Sequence, residues 1–453
     1  MSPARIGVVG GGLAGTAAAL CAADGGAEVV LFERRSVLGG LTSSIRRNGL
    51  SFDNGQHLFM RCCTAYRGFV ERIGAVDEVF LQPRLEVPVL APGGRRSSIK
   101  RTALPAPLHL GGALGRYSHL SLRERLRLLS PVLALSRLDP DDPALDEIAF
   151  GPWLSEHGQS EQAIDHLWNL IVSATINVPA AEASLAVATK VFRTGLLDSH
   201  DAGDIGWSVV PLAEIHGAMP ARALEACGAE VVLGEPVRGV SRLPAGTFVI
   251  RAGERTEVVD AVVVATPLRQ AAALGAFESA GDIERLGLSP IVNIHLVLDR
   301  KITDLDLAAC VDSPLQFVFD RTVSSGARSG QCLALSLSTA GGYIGRGSSE
   351  LVSTFFEALG EIFPPAREAR LIDALVTRER AATFRAGVGS RALRPATATK
   401  VPGMFLAGAW CDTGWPATME GAVRAGQQAA QEALALVSGA RHEGPRELEG
   451  AGT

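Results

Sequence analysis

Charge is scarce in this sequence: Asp, Glu, Lys and Arg make up only 20% of its 453 residues, against 47% hydrophobic residues. That balance excludes general disorder, which needs few apolar residues and much charge. Neither sign dominates, since 43 Lys plus Arg face 48 Asp plus Glu, and a formal charge of −5 gives no global basic field for nucleic acid. Cysteine is also sparse. The seven cysteines, with Cys62 and Cys63 adjacent, form no C-x-x-C and no Cys/His spacing suited to zinc, so reduced thiols and no metal are expected. Runs of about 18 uncharged apolar residues are missing, which excludes a bilayer-spanning helix. The apolar opening Ile6 to Leu20 is broken by Gly10, Gly11, Gly12 and Gly15, unlike a signal-peptide core. A cytoplasmic protein is expected.

What is present is α/β sequence. Ile6 to Val9 predicts a strand, Leu13 to Ala23 an Ala-rich helix, and Glu28 to Glu33 a second strand, which together make a βαβ unit. Residues 90 to 200 change character, with Pro-rich connections and Arg-studded leucine patterns. From Leu224 the nucleotide-domain pattern returns with strands Glu230 to Leu233 and Ala261 to Val264. Asn293 to Asp299 and Gln331 to Ser338 predict strands and Ser349 to Gly360 a helix; Met404 to Gly408 is a buried strand and Met419 to Val437 a helix. The tail from 439 to 453 is expected to be disordered.

In Gly10-x-Gly12-x-x-Gly15 one glycine allows the tight turn, one lets backbone approach a pyrophosphate, and one lets helix and strand pack closely. The unpaired N–H groups at the start of the helix, around Leu13 and Ala14, face the phosphates. Glu33 ends the next strand 18 residues after Gly15, where an acid accepts ribose hydroxyls. An Ala/Gly-rich turn without ligand is the bland alternative; its position between strand and helix, with the acid in place, favours a nucleotide.

Together with the Gly10 to Glu33 unit, three further ordered segments resemble the flavin amine oxidase and phytoene desaturase superfamily. After Glu33 and Arg34, the stretch Arg35-Ser36-Val37-Leu38-Gly39-Gly40-Leu41-Thr42 is similar to its R-x-x-x-G-G segment along the pyrophosphate. Asp53-Asn54-Gly55-Gln56-His57 resembles its D-x-G-x-H stretch beside the flavin ring. Ala407 to Ala422, with Gly408, Asp412, Trp415 and Met419, resembles its closing motif, in which an acid contacts ribityl or pyrophosphate and a helix start faces the flavin O2. Val237, after Glu235-Pro236, matches the position whose backbone contacts adenine. The resemblance implies a Rossmann-like FAD-binding domain from residues 1–85, 205–267 and 392–438, interleaved with an α+β substrate domain from 86–204 and 268–391.

Leu167-Trp168-Asn169 and Gly206-Trp207-Ser208 narrow the resemblance to the hydroxysqualene dehydroxylase family, the squalene-associated FAD-dependent desaturases. That family implies reductive removal of a hydroxyl from a long-chain isoprenoid, hydroxysqualene, to give squalene. An allylic alcohol protonated at oxygen loses water, and the resulting cation accepts hydride from N5 of the reduced flavin. His57 and Asp204 are candidate acids, although Asp204 also suits a Gly-flanked turn. Trp168, Asn169 and Trp207 are candidate pocket residues, with plain core as the alternative for the tryptophans. The second Gly-rich stretch, Gly341 to Gly347, lacks a third fingerprint glycine, so electrons are expected from an external donor.

Leu122, Leu126, Leu129 and Leu133 recur at helical spacing among Arg123, Arg125 and Arg127. A helix packed on its own protein is the first expectation. An interfacial helix within residues 116–138, touching the membrane that holds the terpene, is the second. Two other functions fit the same sequence: a carotenoid desaturase or amine oxidase running the flavin in the oxidising direction, and a non-catalytic flavin-fold scaffold.

Overall fold

The computed structural model describes residues 3–276 and 284–442. Its five-stranded parallel sheet has the order Glu230–Leu233, Glu28–Glu33, Arg5–Val9, Ala261–Val264, Met404–Leu406. Its central strands are apolar runs because both faces are covered. On one face lie the helices Leu13–Asp24 and Met419–His442, packed so closely that a Cβ on Gly426 would stand 2.1 Å from the Ala14 carbonyl oxygen. On the other, the antiparallel strands Val237–Arg242, Phe248–Ala252 and Arg255–Val259 bring Phe248, Ile250 and Val259 onto Val30, Phe32, Val262 and Val264.

A seven-stranded sheet forms the second layer, in the order Leu371–Phe384, Leu288–Leu298, Gln331–Leu337, Phe317–Asp320, Leu307–Cys310, Glu86–Leu90, Arg96–Lys100. Side chains alternate across Leu288–Leu298. Val292, Ile294 and Leu296 meet the helix Ser348–Ile362 through Leu351, Phe355 and Leu359. Val297 packs with Phe52 and the His295 ring stands edge-on to it, so this face turns toward the nucleotide layer. All strands of the parallel sheet fall within residues 1–85, 205–267 and 392–438, and all seven strands of the second sheet lie within 86–204 and 268–391.

Helices between residues 108 and 197 close one side around Phe150, Trp153, Trp168 and Phe192. The leucine-rich segment forms two short helices, Leu122–Arg127 and Leu129–Leu135, the first opened by a capping box between Ser121 and Glu124. The C-terminal helix continues to His442, past the expected boundary at 439, and residues 443–453 lie outside the described residues. Among the described residues no helix is long and apolar enough to cross a membrane.

Candidate functional site: a dinucleotide cleft and the turn beside it

The glycines of the first turn differ in what they permit. A Cβ on Gly15 would stand 1.8 Å from the Gly10 carbonyl oxygen, and one on Gly10 would stand 2.5 Å from that of Ala265, so these two allow close packing. At Gly12 an added Cβ would meet only the Gly40 Cα, at 3.8 Å, an ordinary van der Waals contact. As N-cap of Leu13–Asp24, Gly12 brings no side-chain acceptor, so the N–H groups around Leu13 and Ala14 are left for a ligand. Gly39 and Gly40 adopt φ of +111° and +55°, conformations open to glycine, and Gly40 lies against Gly12, a Cβ on it falling 3.0 Å from the Gly12 Cα. The Gly39 N–H donates to the Gly11 oxygen at 2.8 Å, Arg35 Nη1 donates to the Gly40 oxygen, Thr42 Oγ1 donates to the Gly39 oxygen, and Leu41 stays exposed at the rim.

Glu33 is buried at the end of its strand. Its oxygens accept the Gly11 and Arg35 backbone N–H groups at 2.7 and 2.8 Å, and each retains a lone pair for a ribose hydroxyl. Arg34 is exposed beside it. Val237 opens an edge strand whose outer side pairs with no other strand among the described residues, leaving backbone groups for an adenine.

At the closing segment, a Cβ on Gly408 would meet Trp410 Nε1 at 2.4 Å, and Asp412 Oδ1 accepts the Gly414 N–H. Trp415 carries the Arg424 guanidinium 4.9 Å above its ring, Met419 begins the long helix, and the Ala422 N–H closes its first turn on Thr418. Buried Glu420, within the closing motif but not singled out in it, receives the Ala65 and Tyr66 N–H groups and so caps the helix Thr64–Arg72. Three buried polar atoms have no partner among the described residues: Gln56 Nε2, Thr266 Oγ1 and Thr413 Oγ1. Uncapped N–H groups behind a Gly12 without side chain, a ribose-compatible acid and orphaned polar atoms together fit FAD.

The turn after Phe52 is clamped from the second sheet. Asp53 accepts Ser44 Oγ and the Leu212 N–H on one oxygen and Arg321 Nη2, at 3.0 Å, on the other. Arg321 lies 268 residues away and was invisible to local pattern. His57 Nδ1 lies 3.1 Å from the Gly55 oxygen, which can only accept, so Nδ1 carries the proton and Nε2 is an acceptor. Burial holds its pKa below the usual 6.5, and the neutral ring is no standing proton donor. His216, also unforeseen, is pushed down to about 3 by burial and then by His57, and meets the Tyr66 hydroxyl at 2.8 Å. Gln56, His57, Trp207, Ser208, Phe319 and Arg321 line a small cavity, with Trp207 half-buried against Phe80.

Two expectations need correction. Trp168 does not line this cavity: it is 2% exposed between Phe150 and Phe192, its Nε1–H donates to Gln159, and neighbouring Asn169 is used up between Asp165 and the Ala180 N–H. Asp204 is no acid. Its carboxylate is fully buried and bound by Arg101 at 2.5 Å, Arg61 and the Leu85 N–H, so burial, which raises its pKa, is outweighed by these partners and the group stays ionised.

The family model described as flavin containing amine oxidoreductase matches residues 13–434. Hydroxysqualene dehydroxylase of Rhodopseudomonas palustris is 30% identical over 448 residues, covering 94% of this chain and 98% of that one. The 15-cis-phytoene desaturase of Synechococcus elongatus is 24% identical over 470 residues, covering 95% and 96%. Among solved structures, an oxidoreductase from Methanosarcina mazei matches with a TM-score of 0.74 at 16% identity over 94% of this chain and all of that one, which shows the shared fold. With its cleft and motifs so matched, the protein is an FAD-dependent oxidoreductase, and the chain belongs to the flavin-containing amine oxidoreductase family.

Proposed function

We propose that the protein removes the hydroxyl of hydroxysqualene reductively, giving squalene. The observation that carries this reading is the 30% identity, over nearly the whole of both chains, to a hydroxysqualene dehydroxylase. The chemistry needs a site from which water is excluded, because a carbocation survives only there. Trp207, Leu307 and Phe319 supply apolar wall beside the His57 turn, and the aromatic faces favour positive charge. His57 works as a relay: its depressed pKa makes it a poor reservoir of protons but a strong donor once protonated at Nε2. Bound FAD, reduced by an external donor, supplies the hydride. The residues named as cofactor contacts, from Gly10 to Ala422, would hold it.

The test is anaerobic. Photoreduced holoenzyme mixed with hydroxysqualene is expected to reoxidise and release squalene, with deuterium on the carbon that lost oxygen when a deuteride donor has done the reducing. Reduction of the oxidised enzyme by phytoene or an amine would replace this reading with the oxidative one, and a silent flavin would leave a lipid-binding scaffold.

A thirty-carbon substrate resides in a bilayer, and we extend the proposal to peripheral docking by the leucine-rich segment. The segment does pack on the protein, but through Leu128, Pro131 and Leu135 and not through the leucine stripe: Leu122, Leu126, Leu129 and Leu133 are 67%, 63%, 62% and 49% exposed. Exposed Arg116, Arg123 and Arg127 flank them, the pairing that favours an anionic lipid surface. Leu126→Glu with Leu129→Glu is expected to cut binding to phosphatidylserine-containing liposomes at least about tenfold, from ~1.4 kcal/mol of lost burial, without loss of flavin. Unchanged flotation with the liposomes would refute the docking.

A further inference from the structure

Asn293 sits in the middle of the strand Leu288–Leu298, fully buried, on the face turned toward the His57 turn. An asparagine has a donor end and an acceptor end, and a buried one normally satisfies both. Here the Nδ2 group donates to the Asn54 carbonyl oxygen at 3.1 Å, which fixes the orientation of the amide because that oxygen can only accept. The acceptor end, Oδ1, is buried with no partner among the described residues. A Cβ on Gly55 would stand 3.3 Å from His57 Cε1 and 3.6 Å from Asn293 Nδ2, so the relay imidazole and the Asn293 amide both pack against Gly55. Thr377, directly across the ladder from Asn293, donates its own hydroxyl to the Asn54 oxygen, so bracing of that turn does not depend on Asn293 alone.

Resting on the proposed dehydroxylation, we infer that Asn293 recognises the hydroxyl that the substrate loses. Its Oδ1 accepts the alcohol O–H. When a proton is added to that oxygen and the C–O bond breaks, the bonding pair leaves on water and the carbon takes up a hydride. The O–H bonds become more polar along that path, so the acceptor binds the departing water more strongly than the alcohol. Nothing in a hydrocarbon product can use Oδ1, which favours release.

Asn293→Leu keeps the volume and removes the acceptor. In titrations of oxidised holoenzyme followed by flavin absorbance, it is expected to bind hydroxysqualene about tenfold more weakly, the value of one hydrogen bond, while squalene affinity and FAD content stay at wild-type values. In turnover, kcat/KM should fall by more than the alcohol affinity does. Asn293→Asp, which in its protonated form offers an oxygen at the Oδ1 position and a donor toward Asn54, should retain most of the preference for the alcohol; Thr377→Val should retain all of it. Should Asn293→Leu not fold, Asn293→Ala makes the same comparison. Equal weakening of alcohol and hydrocarbon in the Asn293 variant, or the same phenotype in Thr377→Val, would overturn the inference and leave Asn293 a brace for the turn. A wild type that binds hydroxysqualene but never converts it overturns the proposed reaction instead.

Discussion

Gly12→Val is expected to give a folded, colourless protein. Gly12 has φ −78° and ψ −178°, extended backbone that valine adopts freely, so the substitution carries no conformational penalty. Its Cβ would not clash, the nearest atom being the Gly40 Cα at 3.8 Å. The branched methyl groups instead cover the first turn of Leu13–Asp24, where the pyrophosphate approaches. Losing that approach should weaken FAD at least about 100-fold, ~2.7 kcal/mol. The variant should then melt where deflavinated wild type melts, below the holoprotein, by the binding energy that the ligand adds to the folded state. Gly15→Val makes the contrast. A Cβ there would lie 1.8 Å from the Gly10 carbonyl oxygen, so insoluble protein is expected rather than soluble apoprotein. The flavin-to-protein absorbance ratio and a thermal melt settle both, and a yellow Gly12→Val protein with full flavin content would place the phosphates elsewhere.

Such contrasts show which parts of the molecule local sequence can carry. Arg5–Val9, Leu13–Asp24 and Glu28–Glu33 were legible because strand period, helix composition and the glycine turn act within about 30 residues. Trp168 was not legible, since an aromatic residue beside a polar one looks alike in a pocket and in a core. What decides is Phe150, Phe192 and Gln159, brought together only by the fold. The leucine stripe of residues 122–133 revealed a helical period but not which way it faced; in the fold Leu128, Pro131 and Leu135 turn inward and the four leucines outward. Asn293 lay hidden inside an apolar strand. Its meaning comes from Asn54 and Gly55, more than 200 residues away in the chain.

The second large effect is expected at Asp204, where the same lesson has an energetic form. Read locally it is a turn aspartate between glycine-rich neighbours; in the fold it joins layers, binding Arg101, Arg61 and the Leu85 N–H from elements 103, 143 and 119 residues distant. Both Asp204 and Arg101 are buried, at 0% and 8% side-chain exposure, so neither can exchange its partner for water. Asp204→Ala would leave the Arg101 charge buried without its counter-ion, a defect that costs about 3–5 kcal/mol and is expected to abolish soluble expression or lower the melting temperature sharply. Arg101→Met with Asp204→Leu removes both charges and should recover much of that loss, which no simple catalytic role would predict. The carboxyl is held below its ordinary pKa in the fold, so its contribution is complete above about pH 4, the unfolded value, and is lost as pH falls through the lower folded value. The wild-type stability curve should therefore drop on the acid side of pH 4, and the double variant should show a shallower drop. If Asp204→Ala stays soluble with its melting temperature unchanged and loses only turnover, the residue is catalytic after all and this account of the buried pair fails.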